Sequence, residues 1–176
     1  MNRKEKAKEK EMNTRITLKN IKHAEFASEE THCYSASVYF DGKRVGEVKN
    51  DGHGGADYEY ITNADGWKAM QEHIATLPEV VTDMYDPHDK SKAFTYPNTL
   101  EGICSDLVTD WLIDKDLKKV TRGKVAFYVG DFDGSYRFYP TTKFSEEKIR
   151  THIAKAVPDA VILNDLPKEE LRALFA

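Results

Sequence analysis

The stretch "HCYSASVYFDGKRVGEVKN", His32–Asn50, decides the fold. Tyr34, Ala36, Val38 and Phe40 alternate with Cys33, Ser35, Ser37 and Tyr39. A period of two sends successive side chains to opposite faces, so this is a strand with one side in a core. Asp41-Gly42 follows at once, and "KRVGEVK" begins after it. An Asp-Gly link between two such runs predicts a type I′ hairpin, because that turn needs positive φ at both central residues. An antiparallel hairpin therefore anchors the chain.

Toward the N-terminus, "TRITLKNIKHAEFA" (Thr14–Ala27) places Ile16, Leu18 and, after a break, Phe26 at strand spacing. It predicts a preceding strand and so an opening meander of three. Toward the C-terminus a Gly-rich loop leads into "NADGWKAMQEHIATL", where Trp67, Met70, Ile74 and Leu77 fall on one helical face. Asn63 or Asp65 caps this helix and Pro78 ends it. Glu79–Pro97 holds two prolines and no sustained period, which predicts a long connection. A long helix follows, with Asn98 and Glu101 spaced as a capping box and an apolar stripe from Leu100 to Leu112. "KVAFYVG" and "SYRFYP" flank Asp133-Gly134, a second hairpin. Ser145 opens a helix with Ile149, Ile153 and Ala156 inward, "AVIL" is a short strand, and Pro167 starts a last short helix. Hairpins rather than helical crossovers join most strands. The expected class is α+β: a mainly antiparallel sheet built from two hairpins, with three to four helices packed on one face.

The chain has 176 residues, enough for one compact domain over 14–176. Residues 1–13 alternate Lys/Arg with Glu and read as a flexible charged tail without an apolar signal segment. No run of about 18 apolar residues suggests a membrane span. Cys33 and Cys104 are the only cysteines, too few for a disulfide framework, which points to reduced thiols in a cytoplasm. The net charge is −4. Its distribution is uneven: residues 51–116 carry 4 basic and 14 acidic groups. A segment this acidic sets up a negative field over the face it covers, unless Lys and Arg from the ends fold alongside.

Two places in the sequence are candidate sites. The first is the loop Asp51-Gly52-His53-Gly54-Gly55 with Asp57 beyond it. Glycines allow close backbone approach, successive amides can form an anion nest, and His53 titrates near neutral pH. That set suits a phosphate-bearing ligand or a metal. Against it, the loop has no Lys-Ser/Thr ending and no G-x-G-x-x-G spacing, and Asp51 would repel an anion. The competing reading is a strand-to-helix bend with His53 exposed. Asp51, His53, Asp57, His73, Asp86, His88 and Asp89 are all ligand types, but their spacing matches no metal motif, and Asp86-Pro87-His88-Asp89 reads as a turn. Cys33 and Cys104 read as small buried hydrophobes, and His152 as a core or boundary histidine. No catalytic residue, metal or cofactor is assigned.

The second candidate is the acidic stripe Asp106, Asp110 and Asp114, every four residues along the long helix. Like charges at this spacing repel, Asp is a poor helix former, and the later ones approach the negative end of the helix dipole. The cost is about 1 kcal/mol. Either Lys and Arg from elsewhere in the fold offset it, or the carboxylates face a basic partner whose phosphate site they imitate. Direct nucleic-acid binding through "KKVTRGK" (Lys118–Lys124) and the aromatics Tyr128, Tyr136, Phe138 and Tyr139 is disfavoured by the acidic balance of the chain.

"DGKRVGEVKNDGHGG" (Asp41–Gly55) resembles a segment of small uncharacterised proteins of bacteriophages and other bacterial mobile elements, and "ILNDLP" (Ile162–Pro167) is similar to their C-terminal part. The resemblance implies a bacterial, cytoplasmic, mobile-element setting and carries no catalytic role. The reading that follows is a phage or mobile-element binding protein. It would contact, and inhibit, a host defence or nucleic-acid-processing protein through Asp106, Asp110 and Asp114. The alternative is a small enzyme or ligand-binding protein built on Asp51, Gly52, His53, Gly54, Gly55 and Asp57.

Overall fold

The computed structural model describes residues 15–85 and 91–175. The charged tail and the turn Asp86–Asp89 lie outside the described residues. The class is α+β, with antiparallel sheets and four α-helices among the described residues. The chain clusters into two compact units that divide between Thr109 and Asp110. No helix among the described residues is long and apolar enough to cross a membrane.

The first unit is built on a four-stranded sheet of β1 (Ile16–His23), β2 (Tyr34–Phe40), β3 (Lys43–Asn50) and β4 (Tyr58–Ile61), each antiparallel to the next. The Asp41-Gly42 turn has φ of 48° and 76°, as a type I′ hairpin requires. Ile16, Val38, Val48 and their neighbours bury one face. Helix α1 (Ala64–Ile74) lies on this face through Trp67, Met70 and Ile74. Its cap is Asn63, which accepts from the Gly66 amide. Gly46 makes room for it: a Cβ there would come within 2.5 Å of the Trp67 ring.

Four expectations need correction here. β1 stops at His23 after an irregularity at Asn20 (φ 56°) that shifts its register, and Phe26 sits 94% exposed on a 3-10 turn. The meander has a fourth strand, β4, which is exposed throughout and so lacks an apolar alternation to read. Glu79–Pro97 contains a two-stranded ribbon, β5 (Val80–Tyr85) and β6 (Ala93–Tyr96), rather than an unstructured connection. The long helix α2 (Leu100–Thr121) is capped by Thr99, which accepts from the Gly102 amide; Asn98 instead donates to the Pro78 carbonyl.

The second unit centres on β7 (Lys124–Val129), flanked by β8 (Arg137–Pro140) and β9 (Ala160–Ile162), all antiparallel. Both faces of β7 are covered, so its run reads as continuously apolar. Ala126 packs with Leu117 and Val120 of α2, Leu163, and Leu171 of α4 (Lys168–Leu174). Val125 and Phe127 pack on Ile149 and Ile153 of α3 (Glu146–Ala156), which Ser145 caps. Helices on one face only was the expectation; period two along β7 gives each face its own helix.

Candidate functional site

The Gly-rich loop is organised by Asn50, the last residue of β3 and 3% exposed. Its Oδ1 accepts from Thr31 Oγ1 at 2.8 Å and from the Gly52 amide at 2.9 Å. Its Nδ2 donates to the Gly55 carbonyl at 2.9 Å and to Asp57 Oδ1 at 3.0 Å. The Gly52 carbonyl then accepts the amides of Glu29, Glu30 and Thr31 at 3.0, 2.9 and 3.3 Å. Gly52 has φ 89°, and a Cβ on it would stand 1.9 Å from the Ala27 carbonyl oxygen. The glycine demand therefore comes from the segment 27–31, which closes over the loop.

This geometry decides what the loop can bind. An anion nest needs amides free to converge on the ligand. Here the Gly52 amide is held by Asn50, that of His53 by Asp51 at 3.4 Å, and that of Gly54 by Thr31 at 3.3 Å. The group with three partners is a carbonyl, not an anion. His53 Nδ1 lies 3.2 Å from Glu29 Oε2, with both side chains largely exposed. Asp57 turns to Asn50 and to the Tyr34 hydroxyl, which donates to it. Within the predicted ligand set, Asp51 thus holds the His53 amide, the His53 ring turns to Glu29, and Asp57 turns to Asn50 and Tyr34. Among the described residues no three His, Cys, Asp or Glu side chains form a group that could hold a metal.

Tyr34 leads to a second polar cluster beneath β4. Burial, followed by Cys104 and Asp57, pushes the Tyr34 hydroxyl well above its usual range. Burial, followed by the charge of Asp57, pushes the Cys104 thiol up to about 12. Burial thus favours the neutral thiol over the nucleophilic thiolate at neutral pH. Glu59 is raised by burial and by Asp57 and Glu101. Cys33 is a partly exposed free thiol.

On α2 the acidic stripe meets cations from α4. Lys168 Nζ lies 2.5 Å from Asp114 Oδ2; Arg172 bonds Asp110 and reaches within 3.8 Å of Asp114 Oδ1. Asp106 also has an interaction partner. Ion pairing within the second unit thus accounts for accepting Asp110 and Asp114 on the helix. In the same unit, Tyr128 and Tyr136 of the second hairpin pack against its core, whereas Phe138 and Tyr139 stay exposed. Tyr139 stacks on Phe127 at 5.9 Å, Lys124 lies 4.4 Å over the Phe138 ring, and His152, exposed rather than buried, meets the Tyr139 ring edge-on.

A surface that the sequence reading did not single out is the other face of the four-stranded sheet. The register places Lys19 beside Ser37, Lys22 beside Ser35, Arg44 beside Tyr39, and Lys49 beside Tyr58, all on the side away from the core. A trough of about 410 Å³ runs over Ser35 and Ser37 between Lys22, Arg44, Lys49, Tyr39 and Tyr60. These cations pair with Ser35, Ser37 and Tyr39, the residues that alternate with Tyr34, Ala36 and Val38. An apolar phase marks only the buried face of a strand, and pairing between strands decides which polar residues meet on the other. No family model, curated protein or solved structure matches the chain.

Proposed function

We propose that this chain is a non-enzymatic binding protein that contacts a host protein, in the phage or mobile-element setting its Asp41–Gly55 segment suggests. The observation that carries this reading is the ribbon β5–β6. Val81, Met84 and Tyr85 are each more than half exposed, and Tyr96 nearly so. A two-stranded ribbon is marginal alone, and large apolar groups left in water on it cost free energy that a partner would recover. Met and Tyr are enriched in protein contact surfaces. The contact is centred on this ribbon rather than on Asp106, Asp110 and Asp114, since Arg172 and Lys168 already answer two of those carboxylates. A loop-centred ligand site is the weaker reading, because the loop's amides are committed internally.

The test is affinity capture from bacterial lysate at low and high salt, comparing the wild-type chain with Met84→Ser/Tyr85→Ser. A host protein retained at high salt by the wild type and lost by the variant is expected. Capture that washes off with salt and ignores the variant would move the contact to the charged flank. No specific protein at either salt would overturn the reading.

A further inference from the structure

We propose that the open face of the four-stranded sheet binds single-stranded nucleic acid. This goes beyond contact with a host protein and uses a different surface from the ribbon.

The first observation is charge. Lys19 and Lys22 of β1 and Arg44 and Lys49 of β3 stand on one sheet face, brought there by their register on either side of β2. One carboxylate lines the trough, Glu47, and it lies 2.5 Å from Arg44. The chain as a whole is acidic. This face is basic, and cations drawn together over a concavity are what a phosphate backbone recognises.

The second observation is shape. The floor of the trough is small and polar: Ser35 is half-buried and Ser37 is 7% exposed. Its walls are long cations and the rings of Tyr39 and Tyr60. Lys19 Nζ already lies 4.3 Å above the Tyr39 ring. Tyr60 is more than half exposed, and so is Tyr58 on the same side of β4. Exposed rings beside cations offer stacking platforms for unpaired bases, worth about 1–3 kcal/mol per base. A duplex hides those base faces, so the trough suits a single strand. The hydroxyls of Ser35 and Ser37 would meet sugar or phosphate oxygens along the floor.

Fluorescence polarisation of a labelled oligothymidylate of about 15 nucleotides tests this. The wild-type chain should bind saturably, with affinity falling as salt rises, by a log–log slope of about 0.7 per phosphate contact. Lys22→Glu/Lys49→Glu should weaken binding at least tenfold and flatten that slope. Tyr39→Ala/Tyr60→Ala should weaken the oligonucleotide at least tenfold and leave inorganic polyphosphate binding unchanged. If charge reversal impairs folding by circular dichroism, Lys22→Gln/Lys49→Gln replaces it. Ultraviolet crosslinking of the bound strand then locates the contact at Tyr39 or Tyr60. No saturable binding at low salt overturns the proposal. So does equal affinity for a duplex of the same length, or tyrosine variants that bind the strand as well as wild type. The Met84→Ser/Tyr85→Ser chain should bind the oligonucleotide normally, which keeps this test separate from that of protein contact.

Discussion

At the scale of single residues, two asparagines act as joints. Asn50 holds together the end of β3, residue Thr31 and the loop. Asn164 does the same in the second unit: its Oδ1 accepts the Ala126 amide at 2.9 Å, and its Nδ2 donates to the carbonyls of Lys124 and Thr121 at 3.0 and 3.3 Å. Asn164→Ala strands a buried amide and two carbonyls and should cost about 2–3 kcal/mol in urea unfolding. The glycines separate just as clearly. Gly52→Ala combines positive φ with a clash on the Ala27 carbonyl, and should lose more than about 2 kcal/mol. Gly55 has open space, and Gly55→Ala should stay within about 0.5 kcal/mol. Sequence could show that the loop demands glycine, but not which glycine, because the demand comes from residue 27, on the far side of β2. The thiols also differ. In native protein a disulfide reagent should titrate Cys33 promptly and Cys104 only after unfolding, since burial holds its thiol protonated.

At the scale of elements, the acidic stripe becomes intelligible only once α4 is placed. Arg172→Gln removes the partner of Asp110 and leaves Asp114 to Lys168 alone. The pairs are partly exposed, so the loss should be about 1 kcal/mol, and it should shrink in high salt. An unchanged midpoint in thermal melts at low salt would contradict this. Elements whose signal is local were legible: the Asp41-Gly42 hairpin, α1 with its Asn63 cap, α3 with its Ser145 cap, and the apolar stripe of α2. Elements without an apolar phase were not. β4 is exposed throughout, and β5–β6 leaves Val81, Met84, Tyr85 and Tyr96 in solvent, so neither shows the alternation that burial imposes.

At the scale of the whole molecule, charge and acidity act together. The Arg15 guanidinium, bonded to Asp41, holds that carboxyl below its usual 3.8. A depressed folded value stabilises the protein while the group is ionised, and that stability disappears as pH falls through the folded value. Asp41→Asn suits the same turn and should therefore flatten the loss of stability below pH 3.8. Glu59 has the opposite sign: its raised value favours the protonated form, so its contribution is present below 4.5 and lost as pH rises. Glu59→Gln should melt slightly higher than wild type at neutral pH and equal it in acid. The sequence by itself determined the α+β class, the antiparallel hairpins and the long helix, because turn chemistry and periodicity are properties of neighbours along the chain. Only the tertiary structure decided what the charges do. Register over three strands gathers four cations onto one sheet face, and α4 answers the acids of α2. Those pairings join residues tens of positions apart, where no local pattern reaches.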